Sequence, residues 1–180
     1  MSDTRTLSLG SQNLFSITDL QVTLQISGGF NGDIYGYLVH DGGFAVLLNR
    51  SGRTSGNSTG YGDSGFNITL SGSALYDIHN YQNITGAVSP LTGTWAPDGR
   101  FIDPSLVLDT DPRTALLSSF NGGDPSGDWT LFLADLDFGG QATLQNWTLT
   151  VTAVPEPSSW ILGFLGLSGL WLVRRRLRPA

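Results

Sequence analysis

Apolar and polar residues alternate with a period of two along much of the chain. Leu20, Val22, Leu24 and Ile26 are interleaved with Gln21, Thr23, Gln25 and Ser27, the pattern of a strand with one buried face. Asn31-Gly32 follows, then Ile34 to Val39, and Asp41-Gly42 marks a turn before Phe44 to Leu48. This stretch predicts a run of antiparallel strands joined by tight turns. Residues 49–65 are rich in Gly, Ser, Thr and Asn and predict a long loop, after which Phe66, Ile68 and Leu70 alternate again. Pro90, Pro97, Pro104, Pro112 and Pro125 make residues 86–125 an extended, irregular segment. Trp129, Leu131 and Leu133 share one strand face. Beyond Gly139-Gly140, Leu144, Trp147, Leu149 and Val151 mark a closing strand. Helical periodicity is lacking before residue 158, and no repeat of 20–50 residues is evident. The expected body is therefore an all-β sandwich or jelly roll of about eight strands.

The pattern changes at residue 154. Val154-Pro155-Glu156-Pro157 leads into the apolar run Trp160 to Val173, which is closed by Arg174, Arg175, Arg176 and Arg178. An apolar run ended by cationic residues reads as a membrane segment with its C-terminus in the cytoplasm. The run of 14 residues spans roughly 21 Å as a helix, short of the ~30 Å hydrocarbon layer. It has no polar face to lie along an interface, and the arginines can snorkel to relieve the mismatch. Pro155 and Pro157 hold the preceding chain extended. The three-part tail resembles the PEP-CTERM sorting signal of Gram-negative bacteria. That resemblance implies recognition of Pro155-Glu156-Pro157 by an exosortase in the inner membrane, cleavage nearby, and release or transfer to the cell surface or matrix. Residues 1–153 and 154–180 are thus expected to be a β-domain and a sorting signal with a single transmembrane helix. Met1 to Gly10 has no apolar core of a secretory signal, so a segment preceding Met1 is expected to be missing from this sequence.

Charge divides the chain at the same place. Residues 1–153 hold 14 Asp and 5 Arg, a formal charge of −9, while the tail holds one Glu and 4 Arg, a charge of +3; together they give −6. An acidic body excludes nucleic acid as a partner, because phosphate backbones reward cationic patches. The lack of Cys removes disulfides, thiolate nucleophiles and Cys-based metal sites. With 24 Gly and 13% charged residues, the composition suits a turn-rich β-protein rather than a disordered chain.

Candidate chemistry is sparse. Gly56-Asn57-Ser58-Thr59-Gly60 fits the hydrolase G-x-S-x-G pattern, but that elbow needs a strand before the serine and a helix after it. Gly62-Asp63-Ser64-Gly65 is similar to a serine-protease nucleophile turn, which needs a His and a buried Asp beside it. His40 and His79 are the only histidines, too far apart in sequence for a zinc motif. We expect no catalytic residues. No cofactor is required. Calcium is the one plausible ion, because Asp33, Asp63, Asp124, Asp128 and Asp135 fall at predicted turns, where hard oxygen ligands suit Ca²⁺. Asn57, Asn67, Asn83 and Asn146 begin Asn-x-Ser/Thr sequons, which reflect the abundance of Asn and Thr.

Three segments of the body resemble the P (P/Homo B) domain of proprotein convertases. These are Phe30-Asn-Gly-Asp-Ile34 between two strands, Phe120-Asn-Gly followed by Gly127-Asp-Trp-Thr-Leu131, and Gly140-Gln-Ala-Thr-Leu144 with Trp147-Thr-Leu149. Gly32-Asp33-Ile34 stands where the family has Gly-Asp-Leu. The family's Asn/Asp-rich loop is reduced to residues 62–65, and residues 100–117 look like an insertion. The resemblance implies a β-sandwich of the kind that follows a subtilisin-like catalytic domain, and this chain has no room for that domain. The expected function is a non-enzymatic exported module of the cell surface or extracellular matrix, with an extracellular polysaccharide or a surface protein as partner. An accessory domain acting on a separate subtilisin-like protease and a surface-polymer hydrolase are the alternatives.

Overall fold

Two four-stranded sheets make up the computed structural model, which describes residues 1–8 and 15–155. The strands are β1 (Ser2–Leu7), β2 (Phe15–Ser27), β3 (Ile34–His40), β4 (Gly43–Asn49), β5 (Phe66–Ser71), β6 (Leu91–Trp95), β7 (Gly127–Asp135) and β8 (Thr143–Pro155). One sheet has the order β1-β7-β3-β4, and the other β6-β5-β2-β8. All pairings are antiparallel except that of β5 with β6. Only the β3–β4 and β5–β6 connections remain within one sheet; the others cross between sheets. Helix among the described residues is limited to α1 (Gln82–Thr85) and short 3-10 turns. The expected all-β, two-sheet body is therefore what the chain forms.

Alternation explains the core. Leu20, Val22, Leu24 and Ile26 of β2 face Leu38, Leu131 and Trp129 of the other sheet, and all are buried. Two inward pairs, Ile17 with Leu20 and Leu144 with Trp147, lie three residues apart and break the period of two. The β2–β8 ladder shifts register between Ile17 and Asp19 and between Gln25 and Ile26. Each bulge inserts one residue, which returns the next apolar side chain to the core.

Two expectations about connections need correction. Asp41-Gly42 does close a hairpin: both residues have positive φ, 40° and 81°, the backbone that a two-residue turn between twisted strands requires. Asn31-Gly32 does not. It lies in a 3-10 turn that carries the chain from one sheet to the other, so β2 and β3 are not partners. The second correction is inside residues 86–125, where β6 lies. Only its end residues Leu91 and Trp95 are buried, so no alternation marks it in the sequence.

The rest of that segment covers the edge of β4. Asp98 and Gly99 donate to Leu47 and Val46, and Val46 donates to Ala115. Backbone groups left open at a sheet edge invite pairing with another chain, and this cover removes them.

Candidate functional site

Strand direction gives the sandwich two unlike ends. β8 starts at Thr143, beside Ser27, and finishes at Pro155, beside Phe15. Its 13 residues separate the two ends by about 40 Å. Pro155, the first residue of the Pro-Glu-Pro motif, is thus paired with Phe15 at the end of β8. Glu156, Pro157, the apolar run 160–173 and the cluster Arg174, Arg175, Arg176 and Arg178 lie outside the described residues. Among the described residues no helix is long and apolar enough to cross a membrane.

At the end away from Pro155, the loops 28–33, 50–65 and 136–142 meet around a cleft of about 310 Å³. Phe30, Asp33, Gly60, Tyr61, Asp137 and Phe138 line it. The loops are held together by backbone bonds. Asn31 donates to Asp63, Gly32 to Tyr61, Tyr61 to Ser51, and Leu136 to Asp33, at 2.7–3.0 Å. Gly52 has φ +82°, and a Cβ there would fall 2.3 Å from the Tyr61 ring. Only glycine allows both that backbone and that approach.

Arg50 is the charged centre of this end. It is buried, with φ +50°, and follows directly on β4. Its Nε donates to the Gly32 carbonyl at 2.9 Å, and its Nη2 reaches Asp137 Oδ2 at 3.0 Å and Asp33 Oδ1 at 3.4 Å. Burial pushes the Asp33 carboxyl above its usual range. Arg50 opposes the shift, and Asp137 and Asp135 add to it. Asp137 goes the other way: the Phe138 amide and Arg50 hold its carboxylate low. Burial also raises the Tyr61 phenol, which stays a neutral hydroxyl. Under the cleft Tyr61 meets Tyr81 edge to face, and the Tyr81 hydroxyl donates to Asp63 at 2.8 Å while accepting from Asn31 at 3.0 Å.

The five aspartates expected at turns do not converge. Asp33 and Asp63 are at the cleft end, where Asp63 also accepts from Gln82 at 2.8 Å. Asp135 accepts from the Ala142 amide at 2.8 Å. Asp124 and Asp128 lie at the opposite end, taken up by Ser126 and Thr6 respectively. Among the described residues no group of three or more His, Asp or Glu side chains is placed to hold a metal ion. The donor set does not fit Ca²⁺, which takes six to eight oxygens from one shell.

Neither histidine meets a serine. His40 closes β3, bridges the Asp124 and Asp128 carbonyls and stacks on Trp129 with ring centroids 3.8 Å apart. His79 is fully buried; Nδ1 lies 2.7 Å from Asp98 Oδ2, and Nε2 lies 2.9 Å from the Arg53 carbonyl. Both ring nitrogens are thus engaged. Ser58 sits in a loop with β4 before it and β5 after it, which is not a strand-to-helix elbow. The Ser64 amide donates to Ser89 Oγ.

The His79–Asp98 pair belongs to a buried network that the sequence did not suggest. Arg100 reaches Asp77 at 2.9 Å and Asp98 at 3.3 Å, and Arg113 donates to the Asp98 and Pro97 carbonyls. This network secures the segment that covers β4. The cleft was missed as well. Its one sequence signal is that both facing loops join Phe to Asp, in Phe30-Asn-Gly-Asp33 and Asp137-Phe138.

Comparison with known families adds the address. The PEP-CTERM protein-sorting motif matches residues 153–176. The body is all-β with two sheets, and the motif implies exosortase-dependent sorting of a surface protein, with export and passage through a membrane. No curated protein matches the chain.

Proposed function

We propose that the chain is a non-enzymatic β-sandwich held briefly in the inner membrane by residues 160–173. An exosortase processes it at Pro155-Glu156-Pro157, and the body is delivered to the cell surface or extracellular matrix. The observation that carries this reading is continuity. β8 runs as far as Pro155, so the matched segment overlaps the end of this strand and a cut beyond Pro-Glu-Pro releases every described strand of the sandwich. The arginine cluster keeps the C-terminus cytoplasmic. Engagement of both histidines with backbone and carboxylate partners supports a binding rather than a catalytic role. The resemblance to P/Homo B domains fits the same role, since those domains act as stabilising modules.

The test replaces Pro155, Glu156 and Pro157 with Ala in a chain expressed behind a secretory signal beside an exosortase. The unaltered protein is expected in the surface or extracellular fraction, and the variant in the membrane fraction. Equal sorting of the two would overturn the proposal.

A further inference from the structure

The cleft at the end opposite Pro155 carries a set of groups that the packing of the sandwich does not account for. Phe138 is 97% exposed at the tip of its loop, and Phe30, 38% exposed, faces the same cleft. Aromatic rings left in water beside a cavity mark a contact surface, since burial is their ordinary fate. Asp33 makes the reverse point. It is only 4% exposed yet lines the cleft, and its one side-chain hydrogen bond is the long 3.4 Å contact from Arg50 to Oδ1. Its Oδ2 has no hydrogen-bond partner among the described residues. That oxygen is not among the fully buried atoms left without a partner, so solvent reaches it beside the cleft, and a ligand hydroxyl can take the place of water as its donor.

Taken together, the geometry points to a saccharide site: we propose that the cleft formed by Phe30, Tyr61 and Phe138 above Asp33 and Asp137 binds an uncharged hexose unit of an extracellular polysaccharide. A pyranose ring has an apolar face of C–H groups and a rim of hydroxyls. The aromatic rings receive the face. Asp33 Oδ2 and Asp137 accept from the hydroxyls, and such bonds to ionised acceptors are shorter and stronger than neutral ones. The cleft of about 310 Å³ suits one or two sugar rings of a longer chain.

Charge decides among ligand classes. Arg50 already contacts both carboxylates, at 3.4 and 3.0 Å, so a metal ion or an ammonium group would meet a guanidinium in its place. The body's 14 Asp against 5 Arg disfavour polymers bearing uronates or sulfates. A neutral sugar meets neither obstacle. Position agrees: the cleft lies about 40 Å along β8 from Pro155, facing away from the anchored end. The inference deepens the surface-module reading and relies on it only for where the ligand is found. Binding is measured on purified chain, so a failure of sorting leaves it standing, and its own failure leaves sorting untouched.

The experiment titrates the full chain, kept in a detergent without a sugar headgroup, with hexaoses of β-1,4-glucose, β-1,3-glucose, α-1,4-glucose, β-1,4-mannose and N-acetylglucosamine. Polygalacturonate and CaCl₂ are separate arms, and amide NMR shifts are followed. At least one neutral hexaose is expected to bind and to shift Gly60, Tyr61, Asp137 and Phe138. Phe138→Ala is expected to weaken that binding at least tenfold with its melting temperature unchanged, because the ring is exposed. Asp33→Asn is expected to weaken it too, and Phe138→Ala keeps the test decisive if that variant is unstable. The proposal is overturned if no neutral hexaose binds at 10 mM, if Phe138→Ala binds as well as the unaltered chain, or if only polygalacturonate or Ca²⁺ shifts these residues.

Discussion

His79 Nδ1 lies 2.7 Å from Asp98 Oδ2, and neither side chain is exposed to water. Because the other ring nitrogen faces the Arg53 carbonyl at 2.9 Å, both partners are acceptors, and only the imidazolium has two N–H donors to give them. Burial opposes that charge, yet Asp98 and the Arg53 carbonyl outweigh it and the pKa of His79 is raised.

The consequence is a stability that declines with alkali. The folded state binds the His79 proton more tightly than the unfolded chain, whose value is about 6.5. The contribution is complete below that value and is lost as pH rises through the higher folded value. Thermal melts from pH 6 to 9 should therefore show a falling midpoint for the unaltered chain. A His79→Gln variant should start lower and fall less. Parallel curves would refute the assignment.

Removing the partner is harsher. Asp98→Asn leaves His79 and Arg100 without a carboxylate they both contact, and loss of one member of a buried ion pair costs about 3–5 kcal/mol. Urea denaturation measures it. A loss under 1 kcal/mol would mean that the network is not holding the cover over β4.

Neighbouring glycines of the β3–β4 hairpin should respond differently to the same change. Gly42 has φ +81° with nothing within 4 Å of an added Cβ, so Gly42→Ala costs only its backbone strain, about 1–2 kcal/mol. A Cβ on Gly43 would fall 2.3 Å from the Phe120 ring, so Gly43→Ala is expected to cost more, despite an ordinary φ. Equal losses in denaturant midpoints would contradict the packing described.

Trp147 joins the edges of the two sheets. It is 1% exposed on β8, its indole N–H donates to Asp3, and Arg5 lies over its ring at 4.6 Å while donating to its carbonyl. Trp147→Ala should cost about 3–5 kcal/mol. Trp147→Phe keeps most of the apolar volume but loses the bond to Asp3, so amide exchange should quicken in β1 before it does in β2 or β5.

The strands readable by alternation are those with one wet face and one dry face, while β4, buried at all but one position, is readable as the apolar run Phe44 to Leu48. β2, β3, β5, β7 and β8 all carry inward residues at alternate positions, and the bulges explain the two departures. β1 escaped because Asp3, Thr4, Arg5 and Thr6 are polar on both faces of an edge strand, and β6 because three exposed residues separate its buried ends. The site was less readable for a different reason. Asp33, Arg50 and Asp137 come from three loops, and only the crossing of the chain between sheets brings them together. Likewise Asp77, Asp98, Arg100 and Arg113 look like surface turn residues until the segment 96–117 folds over β4. Local pattern carries no information about such pairings.

The central claim, that this sandwich is cargo for an exosortase, is tested most directly by the intact mass of the mature protein. The chain is expressed behind a secretory signal in cells with and without the exosortase, and the surface or extracellular product is weighed. The account predicts a product that ends close beyond Pro155, retains all of β8 and lacks the arginine cluster, formed only when the exosortase is present. A mature product that still carries residues 158–180 would contradict it.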